Sequence, residues 1–234
     1  MILYGHDTSP YVRRVRALLA ELGLPFDRDM NSWSVPDATV LRINPMLRVP
    51  ALVDGGQVLL DSRLIATYLY ERYGGCQGSL YASGAAPVGQ APLQVTLFHP
   101  EHRFDDENTL LCIDAAVDSA INVFLLEMDG VPAERAPYLM RQQQRIRSCL
   151  TWLDDKMAGR ETLHPGAFSF VDIALACALD WMRFRRRYPV EEHRSLERFL
   201  EQHKERPSLA STHPEKAQGP GLGYGPRPPG PPAR

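Results

Sequence analysis

Over the first 75 positions of the chain, hydrophobic residues follow two different patterns, one typical of strands and one typical of helices. Short runs rich in Val, Leu and aromatic residues predict strands, because each run is only four to seven residues long. Apolar residues spaced by three or four predict helices that begin at Ser9-Pro10 and at Ser62, since Ser commonly caps a helix. The predicted strands cover residues 1–6, 24–30, 51–54 and 57–60, with a Gly55-Gly56 hairpin and a further helix near 36–42.

The order of these elements predicts the fold class. A strand, a helix and a second strand in succession need a crossover connection, which makes the two strands parallel. The whole series over residues 1–75, βαβαββα, is the thioredoxin-like arrangement.

Residues 105–212 have helical periodicity throughout and predict an all-α second domain. Ser169 and Asp172 form a capping box before a segment that is apolar nearly all round, which predicts a buried central helix. The predicted helix starts are Asp105 or Asp106, Pro137 and Ser169, and a last helix is expected over about 192–204.

Two other segments lack periodicity. Residues 76–104 begin with a stretch dense in Gly, Ala and Pro and predict an interdomain linker with an insertion. Residues 213–234 hold seven Pro and five Gly and predict a disordered tail.

Composition narrows the classes of function. The net charge of −2 gives no field that would attract nucleic acid or an anionic membrane. We read no apolar run of membrane length and no signal peptide, and the four Cys are scattered, so we expect a cytoplasmic protein with reduced thiols. His99 and His102 are read as loop histidines rather than metal ligands, because Pro100 prevents helical ligand spacing.

Four residues around the predicted hairpin suggest a binding site. A cis bond between Val49 and Pro50 would turn the Val49 backbone outward, free to pair with a peptide. Asp61 and Ser62 bring a carboxylate, a hydroxyl and helix N–H groups to one exposed point, which suits the ammonium and carboxylate of an amino acid.

The segment V-P-A-L-V-D-G-G-Q-V-L-L-D-S resembles the glutathione-binding signature of glutathione transferases. The resemblance implies that the Val49 backbone pairs with the cysteinyl part of glutathione and that Asp61-Ser62 holds its γ-glutamyl part. Arg48 stands where family members often place a cation near the glycine carboxylate. The family's N-P-x-G-K-V-P appears here as N-P-M-L-R-V-P, without the Gly.

The segment S-P-Y-V-R-R-V-R-A-L-L-A-E-L-G-L-P-F is similar to bacterial, theta-like and zeta-like transferases, in which a serine hydroxyl lies near the glutathione sulfur. That resemblance places the thiol-activating hydroxyl at Ser9. A thiol of pKa near 8.5 needs ~2.7 kcal/mol of selective stabilisation to become mostly thiolate at neutral pH. A hydrogen bond from Ser9 could supply ~1.5–3 kcal/mol and the helix N-terminus ~0.3–1 kcal/mol. Ser9 as a simple helix cap is the alternative, and Tyr11, Tyr4 and Thr8 are rival hydroxyls.

The resemblance implies a transferase that conjugates the glutathione thiol to a small hydrophobic electrophile, working as a homodimer. Glutathione would be a co-substrate, with no cofactor or metal. One alternative is a non-enzymatic, protein-binding member similar to the stringent starvation proteins. Another is a glutathione-dependent thiol–disulfide reductase, which is disfavoured because residues 8–12 contain no Cys.

Overall fold

A computed structural model describes residues 1–30, 43–74, 95–132, 134, 136–164 and 168–217. The N-terminal part contains β1 (Ile2–Tyr4), α1 (Pro10–Glu21), β2 (Asp27–Asp29), β3 (Ala51–Asp54), β4 (Gln57–Leu60) and α2 (Ser62–Tyr73). Its sheet has the order β2-β1-β3-β4, in which β1 and β2 are parallel and the other pairs antiparallel. The predicted thioredoxin-like order is confirmed, and the predicted helix near 36–42 lies outside the described residues.

The rest of the described chain is almost wholly helical. The Ser169–Asp172 capping box forms as predicted, and the helix after it is buried. Its elements are β5 (Val95–Thr96), α3 (Arg103–Met128), α4 (Pro137–Met157), β6 (Phe168–Ser169), α5 (Phe170–Phe184), α6 (Arg194–His203) and α7 (Pro207–Thr212).

The start of α3 corrects one prediction. Neither Asp105 nor Asp106 caps the helix, which begins at Arg103 after His102. Asp106 is buried and accepts a hydrogen bond from the His99 backbone N–H at 2.6 Å, so it fixes the approach to the helix instead.

By length and composition, α3 would also pass for a membrane span, which our sequence interpretation did not anticipate. Half of its most apolar window is buried within the protein, and the helix packs against α4 and α5. It therefore has the surroundings of a core helix.

The end of the chain adds order beyond the predicted last helix. α7 follows α6 and packs on α1, which lies more than 180 residues earlier. Residues 214–216 form a short 3-10 helix with Pro214 buried, so the chain is ordered past 213. The rest of the predicted tail, from 218, and residues 76–94 of the predicted linker lie outside the described part.

Helix α1 contacts elements of both halves and buries two of its own arginines, Arg13 and Arg14. Arg13 is 2% exposed, and its Nη2 lies 2.8 Å from Asp180 on α5. Arg14 is 3% exposed and contacts residues of both α2 and α3. The same helix carries Ser9 at its start, so these contacts also position the candidate site.

Candidate functional site

A cavity of about 400 Å³ lies between the start of α1 and the helical half. The first half of the chain contributes the loop before α1 and the loop before β3. The second half contributes one face of α3 and the end of α5. The lining includes His6, Ser9, Tyr11, Leu47, Arg48, Val49, Asp118, Ile121, Asn122, Phe124, Leu125, Trp181 and Arg185.

Ser9 is both a helix cap and a wall of this cavity. Its Oγ accepts a hydrogen bond from the Val12 backbone N–H at 3.3 Å, and the residue is 6% exposed. A hydroxyl has one donor proton and two acceptor lone pairs, so this bond leaves the proton free to be donated. The two readings that the sequence left open are therefore compatible.

Tyr11, the chief rival hydroxyl, lines the same cavity but already has an acceptor. Its Oη donates to Oδ1 of Asp118 at 2.7 Å. Burial, reinforced by the charges of Asp118 and Asp114, raises the pKa of Tyr11 above its ordinary value. A neutral phenol bound to a carboxylate has no second proton to offer to a ligand.

The loop before β3 places Arg48 and Val49 in the cavity wall. The bond between Val49 and Pro50 is cis, as predicted. Leu47, at the position of the family's usual Gly, has a φ of 51°, which explains why Gly is favoured there. Asn44 is fully buried and holds the loop. Its Nδ2 donates to the Arg48 carbonyl at 2.7 Å, and its Oδ1 accepts from the Met46 N–H at 2.9 Å.

Gly5 allows the loop before α1 and the loop before β3 to approach each other. Its φ is 138°, and a Cβ there would lie 2.5 Å from Val12 Cγ2 and 3.0 Å from Val49 Cβ. Both contacts are closer than packed side chains tolerate. Gly5 therefore sets the spacing between the helix that carries Ser9 and the backbone of Val49.

Asp61 and Ser62 lie outside this cavity and are connected to it through Arg14. The predicted exposed point is wrong for Ser62, which is fully buried because its Oγ accepts from Arg14 Nε at 2.9 Å and Nη2 at 2.6 Å. The Arg14 guanidinium in turn lies 4.7 Å from the Tyr11 ring centroid. Asp61, rather than the predicted Ser62, caps α2: its carboxylate accepts from the Arg63 N–H at 2.7 Å, and Ser62 is the first helical residue. Asp61 is exposed and has a φ of 75°. Such a backbone conformation is uncommon outside Gly and is found disproportionately at ligand sites.

Several cavity residues were missed by sequence reasoning. They include His6, Asp118, Asn122 and Arg185. No local pattern marks these residues, because they meet only when the two halves pack.

Comparisons with known proteins identify the family to which both halves of the chain belong. Residues 3–77 match the model described as "Glutathione S-transferase, N-terminal domain", and residues 115–209 match "Glutathione S-transferase, C-terminal domain". The chain belongs to the glutathione S-transferase family. The family's two-domain fold accounts for the thioredoxin-like sheet and the helical half.

Individual relatives resemble the chain to different extents. The uncharacterized GST-like protein YibF of Escherichia coli is 28% identical over 93% of this chain and all of its own length. A stringent starvation protein A homolog of Pasteurella multocida is 36% identical, but over only 31% of this chain and 34% of its own length.

A solved glutathione S-transferase from Methylobacterium radiotolerans, in complex with glutathione sulfonate, shares the fold. It has a TM-score of 0.74 and 24% identity, with 91% of this chain and 94% of that chain covered.

Proposed function

We propose that this protein is a glutathione transferase of the serine type, which conjugates the glutathione thiolate to a small apolar electrophile. The observation that carries the proposal is the position of Ser9. Its hydroxyl stands at the N-terminus of α1 and lines the same cavity as Val49.

Ser9 would stabilise the thiolate as a hydrogen-bond donor, without a general base on the protein. Its oxygen already accepts from Val12, so its proton is the part available to a sulfur anion. A charge-assisted bond contributes ~1.5–3 kcal/mol and the N-terminus of the 12-residue helix α1 ~0.3–1 kcal/mol. Together they match the ~2.7 kcal/mol needed to lower a thiol pKa by about two units.

The remaining parts of glutathione would be held by backbone and charge. The cysteinyl part would pair with the Val49 backbone as an added strand, and Arg48 would meet the glycine carboxylate. Asp61 and Ser62 would take the γ-glutamyl group at the N-terminus of α2. Asn44, which fixes the Arg48 carbonyl, would keep this loop in its binding shape.

The electrophile would occupy the helical side of the cavity. Ile121, Phe124, Leu125 and Trp181 supply apolar surface there. Apolar walls with a few polar groups are typical of small-molecule sites.

Calorimetric titration with glutathione, followed by conjugation assays, tests the proposal. Ser9→Ala should leave the glutathione dissociation constant within about threefold and lower kcat/KM by about 10- to 150-fold, the kinetic equivalent of ~1.5–3 kcal/mol. Ser9→Thr keeps a hydroxyl at the cap and should retain most activity. Equal activity in Ser9→Ala and the wild type would assign the serine to capping alone.

A protein-binding role without catalysis, as in stringent starvation proteins, is the second candidate. The local similarity to one such homolog favours it, but covers less than a third of this chain. Absence of saturable glutathione binding in the same titration would support this candidate. A thiol–disulfide reductase would need a Cys at the start of α1, where Ser9 stands.

We also propose that the enzyme is a cytoplasmic homodimer. Phe104 and Leu111 lie one turn before and after Glu107 on α3 and are 78% and 55% exposed. Leu64 on α2 is 51% exposed, next to Arg63, which pairs with Glu107. An exposed apolar surface of this kind suits an interface between copies. Sedimentation should find a dimer for the wild type and a monomer for Phe104→Glu, whereas a wild-type monomer would contradict the proposal.

A further inference from the structure

The helical wall of the cavity carries a positive charge held between aromatic rings. Arg185 is the first residue after α5 and lines the cavity with Phe124. Its Cζ lies 4.9 Å from the centroid of the Phe124 ring and 5.1 Å from that of the Phe184 ring. Aromatic faces position a guanidinium but do not cancel its charge.

Arg185 differs from its neighbour Arg187 in what balances that charge. Arg187 also lies over the Phe124 ring, at 5.4 Å, but its guanidinium is paired with Glu127. Within the described ranges, no carboxylate pairs with Arg185, and its buried Nε has no hydrogen-bond partner. A buried donor that lacks a partner carries a free-energy cost that a bound acceptor would remove.

Arg185 lines the same cavity as His6, which belongs to the loop that leads to Ser9. Burial lowers the pKa of His6 to about 4, and the positive charge of Arg185 adds to the effect. His6 is therefore neutral at physiological pH, and its carbonyl accepts from the Ser9 N–H at 3.2 Å. His6 therefore adds no positive charge of its own, and Arg185 is the group that would attract an anion on this side of the cavity.

We propose that Arg185 selects an electrophile with a carboxylate at one end and an apolar ring at the other. A guanidinium binds a carboxylate through two parallel N–H···O bonds, most strongly where water is partly excluded. Ile121 and Trp181 would cover the ring. The inference rests on the proposed transferase function and adds that its co-substrate is an anion.

A chloronitrobenzoate is a suitable probe of this substrate class. The glutathione thiolate forms a bond to the ring carbon that carries chlorine, and the carbon–chlorine bond breaks with its electron pair to release chloride. The corresponding chloronitrobenzamide undergoes the same substitution but has no charge, so the pair isolates the effect of the carboxylate.

Steady-state conjugation of both probes should separate Arg185 from Arg187. Arg185→Met keeps an apolar side chain of similar length over Phe124, and we expect kcat/KM for the benzoate to fall at least tenfold, mainly through KM. The amide should change less than threefold. Arg187→Met should leave the ratio of the two probes unchanged. Equal losses for both probes in Arg185→Met, or the same selective loss in Arg187→Met, would overturn the inference.

A binding measurement distinguishes failure of this inference from failure of the proposed function. Calorimetry with nitrobenzoate and nitrobenzamide, which lack the leaving group, needs neither glutathione nor turnover. The wild type should prefer nitrobenzoate at least tenfold, and Arg185→Met should lose that preference. A wild type that binds neither probe, or both equally, would overturn the anion site. Failure to bind glutathione, with the preference for nitrobenzoate intact, would overturn the transferase proposal and leave Arg185 as an anion site without an electrophile to select.

Discussion

Arg14 and Arg185 both lie at the junction between the halves of the molecule, and their surroundings differ. Arg14 is 3% exposed, and each of its three guanidinium nitrogens donates to Ser62 or Asp114. Arg185 lines the cavity, with its Nε unpartnered among the described residues. An arginine whose donors are all bonded within the protein stabilises the contact between elements, whereas an arginine with an unpaired donor in a cavity can bind a ligand. We therefore expect a structural role for Arg14 and a role in ligand recognition for Arg185.

Removal of Arg14 should have the largest effect on stability. Arg14→Met would leave the Asp114 carboxylate and the buried Ser62 hydroxyl without their donor, and we expect the free energy of unfolding to fall by about 3–5 kcal/mol. Arg185→Met should change it by less than about 1 kcal/mol. Urea denaturation of both variants makes the comparison, and similar losses would mean that the two arginines share a structural role.

Because His6 is buried in the cavity wall, we expect the free energy of unfolding to depend on pH. Its pKa in the folded protein is about 4, below the ordinary value of 6.5, mainly because of burial. The unfolded chain binds a proton at His6 as the pH falls below 6.5, while the folded protein does not until about 4. The contribution of neutral His6 to the free energy of unfolding is therefore fully present above pH 6.5, and up to about 3 kcal/mol of it is lost as the pH falls to 4.

Urea denaturation at several pH values, with His6→Asn as the reference, measures this contribution. The difference in unfolding free energy between wild type and variant should shrink as the pH falls through the window from 6.5 to 4. His102→Asn, at an exposed histidine, is the matched control. A constant difference between the wild type and His6→Asn would show that His6 is not buried in the neutral form.

The smallest effect on stability is expected for Tyr11, which lines the cavity and contacts the Arg14 guanidinium. Tyr11→Phe removes the hydrogen bond to Asp118 and should lower the unfolding free energy by about 1 kcal/mol. Because the phenol proton is already donated, the conjugation rate should remain within about threefold of the wild type. A rate loss of tenfold or more would transfer the thiol-activating role from Ser9 to Tyr11.

Local signals account for most of what the sequence predicts correctly. The hairpin follows from Gly55-Gly56 and the buried helix α5 from the Ser169–Asp172 capping box, each encoded within a few residues. The cleft around Ser9 and Val49 was also anticipated, because the segments that carry it have recognisable motifs.

The missed arginine contacts are long-range. Arg14 and Asp114 are 100 residues apart in sequence, and no periodicity within α1 reveals that an arginine on it will be buried. The wrong cap at Asp105 or Asp106 has a more local origin, since Asp106 instead binds the His99 N–H seven residues before it. In the sequence, Arg185 is an ordinary residue at a helix end, and only tertiary packing places it against Phe124.

The pH titration of the glutathione thiol, followed by thiolate absorbance on saturated protein, tests the role of Ser9 most directly. We expect the bound thiol to titrate about two pH units below its ordinary value near 8.5 in the wild type, and to return most of the way in Ser9→Ala. An identical titration in the two proteins, or one that matches free glutathione, would contradict activation by the Ser9 hydroxyl.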